Sequence, residues 1–477
     1  MNATTLVLLG PLIAVGAAVV VLMIAVSIRR SHHVTAGIAL AGLLVAFLLL
    51  FRTTSVGPRG VGPLLLVDEY AIGFTGLILA ATAAVALLAV GYLDRLEDQR
   101  DEYYMLLLLA ALGSIVLVSA AHFASFFLGL ELLSVSLYGL IAYPRTRAEA
   151  VEAGLKYLIL AAASAAFLLF GMALVYARLG TMEFARMSMT AADRDLIALG
   201  GVGLIVVGFG FKLALVPFHL WTPDVYQGAP APTTAFVSTV SKGAMLALLL
   251  RYLPGDVVRA HRALLVVFTL LAIASMAGGN LLALQQRNVK RLLAYSSIAH
   301  LGYLIVAFLA GGDMAAAAVA FYLAAYFVTM LGAFGVVAVL STPAREAGDI
   351  DDYRGLAARR PWLAMVLTAA LLSLAGIPLT AGFVGKFYVT VAAGSAALWA
   401  LLIVMMVTSG IGLFYYLRVV VAMYMEPAAG GIGGVPAGRA PLAGGLALAA
   451  LTVLLVWLGI YPGPLVAFIR AAVAGVA

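Results

Sequence analysis

Cysteine is absent from this chain. It therefore cannot ligate an iron–sulfur cluster through thiolates or close a disulfide. Nucleotide signatures are missing too. No GxGxxG opens a helix after a strand and no GKS or GKT follows a glycine-rich loop, so nothing points to ATP as an energy source. Charge is scarce: Asp, Glu, Lys and Arg make up 10% of 477 residues, against 65% hydrophobic, with a mean hydropathy of +1.13. A soluble domain of this length has no use for so much apolar surface, so the chain reads as an all-α polytopic membrane protein. Its apolar runs reach ~20 residues or more and lack the alternation of barrel strands. The net charge of +7 lies mostly on arginines in short connections. There it reads as membrane topology, not as a nucleic-acid surface.

Fourteen spans are expected, and the run over 361–393 leaves room for a break. The first stretch, "MNATTLVLLGPLIAVGAAVVVLMIAVSIRR", has no basic residue before its apolar run and two arginines after it. That is the reverse of a signal peptide and predicts a retained helix entering from outside. With an even number of spans, both termini then lie outside. The inner connections hold Arg29, Arg30, Arg95, Arg100, Arg145, Arg147, Arg287, Lys290 and Arg291, and the polar stretch 342–360. No connection is long enough for a separate soluble domain, so the work of the protein is expected inside the helix bundle.

The lysines are the informative charges. There are five, Lys156, Lys212, Lys242, Lys290 and Lys386, and all but Lys290 fall inside apolar runs, whereas the arginines fall mostly in connections. Arginine stays protonated at any usable pH, while a desolvated lysine can exchange protons. A lysine at mid-bilayer costs ~2.5–3.5 kcal/mol on the insertion scale, so the row predicts interior facing, polar partners and water. Lys156 stands near the start of its run, where snorkelling to the interface explains it as well as a buried role does. Glu131, in "SFFLGLELLSVSLYGL", is the one acid in the core of a span, and is the expected partner of a buried ammonium, as a proton switch or as a static pair. His300, in "AYSSIAHLGYLIV", stands where it would relay protons between Lys242 and Lys386, or simply hydrogen-bond a neighbouring helix. His219 is expected at the inner mouth, and "HLWTPDVYQGAPAPT", with Asp224 and Gln227, as an inner connection.

Proline adds to the pattern. Pro217 follows Lys212 and Pro378 precedes Lys386, each expected to break its helix and free carbonyls that then need water or a polar partner. The runs that join Lys212 with Pro217 and Lys386 with Pro378 are the seventh and the twelfth. Five spans separate them, so they cross in opposite directions, as in an inverted repeat with discontinuous helices at a transport path.

Three segments carry a resemblance. "GFGFKLALVPFHLWTPDVYQGAPAPTTAF", "NVKRLLAYSSIAHLGYL" and "IPLTAGFVGKFYV" closely resemble the antiporter-like subunits of bacterial complex I, the proton-translocating NADH-quinone oxidoreductase, and within them the subunit N branch. The wider family includes subunits of multi-subunit cation/proton antiporters and of membrane-bound hydrogenases. The resemblance implies two inverted five-helix repeats, with helices 1–3 in residues 1–102, the first repeat in 103–252, the second in 253–425, and helix 14 with a tail in 426–477. It implies that Glu131 and Lys212 form the charged pair of the first half-channel, that Lys242 is the central lysine, and that Lys386 serves the second. It also implies a bacterial inner membrane, neighbouring membrane-arm subunits as partners, and no cofactor here, with FMN, iron–sulfur clusters and quinone held by other subunits. The stretches "RTTSVGPRGVGPLLL" and Gly430–Gly434 are loosely patterned and lie off the expected path.

Two other readings stand beside this one. A cation/proton antiporter subunit would need further intramembrane carboxylates to hold a sodium ion, and only Glu131 is available. A passive scaffold would use the same polar residues merely to lock helices together.

Overall fold

Hydrophobic runs of this length leave the backbone one solution in lipid, which is to satisfy its own hydrogen bonds within each helix. A computed structural model describes residues 3–96, 100–187, 195–342, 345–426 and 442–474; the Gly430–Gly434 stretch lies outside them. Its principal helices, in order, are α1 (Gly10–Ile28), α2 (His32–Thr54), α3 (Glu69–Leu93), α4 (Glu102–Ser119), α5 (Phe123–Ile141), α6 (Ala148–Leu179) and α7 (Leu196–Leu213). Then come α8 (Trp221–Gly228), α9 (Ala231–Tyr252), α10 (Arg262–Leu284), α11 (Val289–Ala310) and α12 (Gly312–Leu340). The last five are α13 (Pro361–Ala375), α14 (Ala381–Ser395), α15 (Trp399–Tyr424), α16 (Leu442–Ile460) and α17 (Gly463–Val473). Among the described residues 13 helices are long and apolar enough to cross a membrane. The difference from fourteen is the 361–393 run, which divides into α13 and α14. Each has 15 residues and so reaches only ~22 Å at 1.5 Å per residue, short of a ~30 Å hydrocarbon core.

Helix starts follow local chemistry. Asp68 caps α3 by accepting from Ala71 N, Asp195 caps α7 by accepting from Ile197 N and Ala198 N, and Asn288 caps α11 by accepting from Arg291 N. Small residues set the closest approaches: a Cβ on Gly171 of α6 would lie 2.6 Å from the Gly201 carbonyl oxygen of α7. The segment read as loosely patterned contains a short antiparallel hairpin, β1 (Arg59–Val61) with β2 (Leu65–Val67), paired Arg59 to Val67. It lies over the α4–α5 turn, where Leu65 bridges to Ala120.

Burial separates the helices into an inner and an outer set. The helices α9, α11 and α12 are almost wholly enclosed, whereas α1, α2, α6 and α16 show most of their surface to the outside. At one end of the bundle lie the turns before α4, α6, α11 and α13, tied together by Arg95 Nη1 donating to the Val339 and Ser341 carbonyls and Arg147 Nη2 donating to Thr342 O. At the other end Arg251, closing α9, makes a bidentate pair with Asp68 and lies over the Tyr70 ring. The lysine-bearing α9 is thus anchored at its far end, and its middle is free of ion pairs among the described residues.

Candidate functional site

Two interruptions lie near Lys212 and Lys386, each beginning ahead of the proline expected to cause it. The first starts at Ala214, whose φ of 59° is unusual for a residue with a Cβ. Leu215 N donates back to Gly210 O and Val216 N to Ser275 Oγ, and the Trp221 indole donates to the Phe211 carbonyl. The second starts at Gly376, with φ 85°. Here the amine of Lys386 turns back onto the broken end: Nζ donates to Leu374 O at 2.9 Å, Ala375 O at 2.8 Å and Ser409 Oγ at 2.7 Å. The carbonyl of Leu374 thus gets its polar partner from Lys386 itself. Gly376 is needed twice, for its dihedral and because a Cβ there would lie 2.8 Å from Lys386 Cδ.

Lys212 is 4% exposed, and its Nζ donates to Ser134 Oγ at 2.7 Å and to Tyr157 OH at 3.2 Å. Lys242 is fully buried and donates to Ser297 Oγ at 2.8 Å, with the Tyr226 ring 5.4 Å from Nζ. Tyr326 also donates to Ser297, at 2.7 Å. Each of the three interior lysines therefore meets a serine on a neighbouring helix. Among the described residues none of the three has an ion pair. Glu131 is half-buried on α5, and the direct contact to Lys212 comes instead from Ser134, three residues further along the same helix.

His300 lies on α11 one turn beyond Ser296 and Ser297. Its Nδ1 is 2.6 Å from Tyr322 OH and its Nε2 3.2 Å from Tyr416 OH, which is itself bonded to Ser296 Oγ. One further turn along α11, the Tyr303 ring faces Lys386 Nζ at 5.4 Å, and Tyr303 OH accepts from Asn280 Nδ2. A single buried helix thus carries Ser297, His300 and Tyr303 on one face between Lys242 and Lys386, at the i, i+3 spacing that stacks side chains.

Lys156 stands apart. It is 44% exposed and pairs with Glu152 at 2.7 Å and Asp224 at 2.9 Å beside a polar cavity of about 130 Å³. Burial alone pushes the Asp224 carboxyl up, but hydrogen bonds from Lys156 and Arg291 outweigh it and hold the group below the usual carboxylate range. His219 is nearly buried, with its Nδ1 unpartnered. Among the described residues one group of metal-ligand type, His32, His33 and Asp94, comes within 4.8 Å. It joins the ends of α2 and α3 and has no link to the lysines.

Sequence reasoning missed three things. Lys290, expected in a connection, is fully buried at the start of α11 and pairs with Glu346 at 3.0 Å. Ser134 and Ser409, opposite Lys212 and Lys386, gave no signal, because serine is unremarkable in a membrane helix, and Ser297 stood out only as a neighbour of His300. Residues Val237–Ser241, just before Lys242, form a π-helical turn that no proline or glycine announces.

What the arrangement can do follows from its donors and acceptors. A serine or tyrosine hydroxyl can accept from an ammonium or donate to a neutral amine, so these contacts hold lysine in either protonation state. A carboxylate would favour only one. The lysines, His300 and the tyrosines make a buried network of charged and polar groups suited to passing protons.

Comparison with known proteins agrees with this. Residues 120–412, more than half of the chain, match the family described as NADH:quinone oxidoreductase/Mrp antiporter, TM. A chain of respiratory complex I from Thermus thermophilus, solved with bound aureothin, is 34% identical, with a TM-score of 0.82 over 96% of this chain and 98% of that one. A chain of the membrane-bound sulfane sulfur reductase, an archaeal respiratory membrane complex, is 25% identical with a TM-score of 0.85, over 100% of this chain and 98% of that one. A chain of the Mrp complex from Dietzia sp. DQ12-45-1b shares the fold, with a TM-score of 0.86 at 22% identity over 100% and 98% of the two chains. The chain belongs to the NADH:quinone oxidoreductase/Mrp antiporter transmembrane family.

Proposed function

We propose that this chain is a proton-translocating membrane-arm subunit of NADH-quinone oxidoreductase, of the subunit N branch. It carries no cofactor of its own and is driven by electron transfer from NADH to quinone in other subunits, where FMN and iron–sulfur clusters are held. The observation that carries the reading is the row of three interior lysines, each bonded to a hydroxyl in place of a carboxylate. Protons would pass between Lys212, Lys242 and Lys386 by way of Tyr157 and Tyr226 on one side and Ser297, His300 and Tyr303 on the other, with ordered water completing the gaps. Glu131 would bias Lys212 through its field, and Lys156 would serve the surface at the Asp224 end. Residues 103–252 and 253–425 would be the two inverted repeats, each with its own broken helix. The membrane would be the bacterial inner membrane, with both termini outside.

Moving one charge against the field costs ~2.3 kcal/mol per 100 mV, and nothing in this chain releases energy, so neighbouring subunits are required. A cation antiporter subunit would need more intramembrane carboxylates than Glu131, and a scaffold would need no titratable group. The test is replacement of Lys212, Lys242 or Lys386 by methionine, followed by proton uptake and quinone reduction in membrane vesicles. Pumping should fall in assembled complexes. Undiminished pumping in all three would refute the path.

A further inference from the structure

The polar stretch between α12 and α13 reads in the sequence as a solvent loop, yet its residues 345–353 fold back over the start of α11. Val289 N donates to Gly348 O, Ile350 N donates to Arg287 O, and Tyr353 OH donates to Ala347 O. This carries Glu346, only 13% exposed, into the bundle end. Its carboxylate collects three donors. Lys290 Nζ lies 3.0 Å from Oε2 and Arg147 Nη1 3.2 Å from Oε1, and Tyr92 OH donates to Oε1 as well. Lys290 also donates to Ala229 O at 2.6 Å, in the turn between α8 and α9. The carboxylate thus joins α3, the connection before α6 and α11, and through Lys290 also the α8–α9 turn.

Two observations give the cluster more than a packing role. Buried Lys290 and part-buried Arg147 share this carboxylate, so losing it leaves two like charges facing each other in a poorly solvated place, which favours outward movement of the segment. The cluster also sits directly below the site of Lys242. Lys290, Ala294 and Ser297 follow each other at i, i+4 and i+7 on α11, one face of two helical turns, and Ser297 holds Lys242. Ala294, between them, is fully buried.

We propose that Glu346 is a positioning residue that seals this end of the Lys242 site. Paired with Lys290 and Arg147, it holds residues 345–353 down as a plug and keeps bulk water from Ser297. When the pair opens, water reaches Lys242 from this side only. The proposal rests on the proton-path reading above, and its test reads access separately from pumping.

The native chain has no cysteine, so Ala294→Cys places one thiol under the plug. The assembled complex in sealed vesicles is exposed to a membrane-impermeant maleimide, and labelling is read on this chain alone. With Glu346 intact, labelling should be slow from both sides. Adding Glu346→Gln, close in volume but neutral, should raise the rate several-fold from the side that carries the α12–α13 connection and leave the other side unchanged. In Glu346→Gln with Ala294 native, the proton yield per NADH should fall while NADH oxidation continues. Unchanged labelling in the assembled complex overturns the seal. Faster labelling with an unchanged proton yield upholds the seal and overturns the proton path beneath it. Should Glu346→Gln fail to assemble, Tyr92→Phe removes one donor of three and should give a smaller rise, and its absence overturns the proposal equally.

Discussion

The amine of Lys386 lies 2.8 Å from the carbonyl oxygen of Ala375, the last residue of α13. The amine completes the hydrogen bonding of the broken helix end. This separates Lys386 from Lys242, whose Ser297 partner keeps its bond from Tyr326 when the lysine is removed. Lys386→Met should therefore lose pumping and also stability, ~1–3 kcal/mol for each carbonyl left without a donor. Lys242→Met should lose pumping with little change in thermal stability. Proton yield and the melting temperature of the purified complex, measured side by side, check the contrast.

Gly376→Ala should destabilise the break without removing any titratable group. The left-handed dihedral costs ~1–2 kcal/mol for a residue with a Cβ. The 2.8 Å approach to Lys386 Cδ then displaces the amine from its acceptors. Gly16, where an added Cβ meets nothing within 4 Å, is the control position. A Gly376→Ala complex as stable and active as Gly16→Ala would contradict the geometry.

His300 engages both ring nitrogens with tyrosines, and a neutral imidazole can donate through one and accept through the other. Tyr322→Phe removes the partner of Nδ1 and should slow pumping several-fold, with a stability loss of only ~1 kcal/mol. His300→Ala should slow it further. Initial rates of proton uptake at matched amounts of assembled complex test the order.

Asp224 predicts an acid limit. Its carboxyl titrates below the usual range in the folded protein because Lys156 and Arg291 hold the charged form. The stability it adds is therefore complete above the ordinary aspartate value of ~3.9 and is lost as pH falls through the lower folded value. Asp224→Asn should lower the melting temperature near neutrality, and the gap to the parent should close at lower pH. A gap independent of pH would show that the ion pairs contribute nothing.

Much of the site was legible because a lysine in an apolar run is costly enough to require a reason. Lys212, Lys242 and Lys386 stood out on that ground alone, while the interruptions beside two of them begin at Ala214 and Gly376, ahead of the prolines. The direct partners were not legible. Glu131 was the obvious mate for Lys212, yet Ser134 makes the contact, since helix rotation decides which residue faces the amine and composition does not report rotation. Lys290 and Glu346 escaped for a related reason. A run such as "AREAGDIDDY" is polar enough to sit in water, and only the tertiary fold shows that one of its carboxylates goes inside. The α13–α14 division was readable as a possibility from its glycines and proline, whereas the π turn of α9 has no composition of its own.

That π turn, Val237–Ser241, ends at the residue before Lys242. A π turn houses one residue more than an α turn, as a screw thread holds slack at a single point. Taking up the slack would turn the following segment by ~100° and advance it ~1.5 Å. The far end of α9 is pinned by Arg251 on Asp68, so the twist would have to be absorbed between residues 242 and 251. Lys242 stands where that rotation begins, and a small rewinding there would swing its amine away from Ser297 while both ends of the helix stay in place.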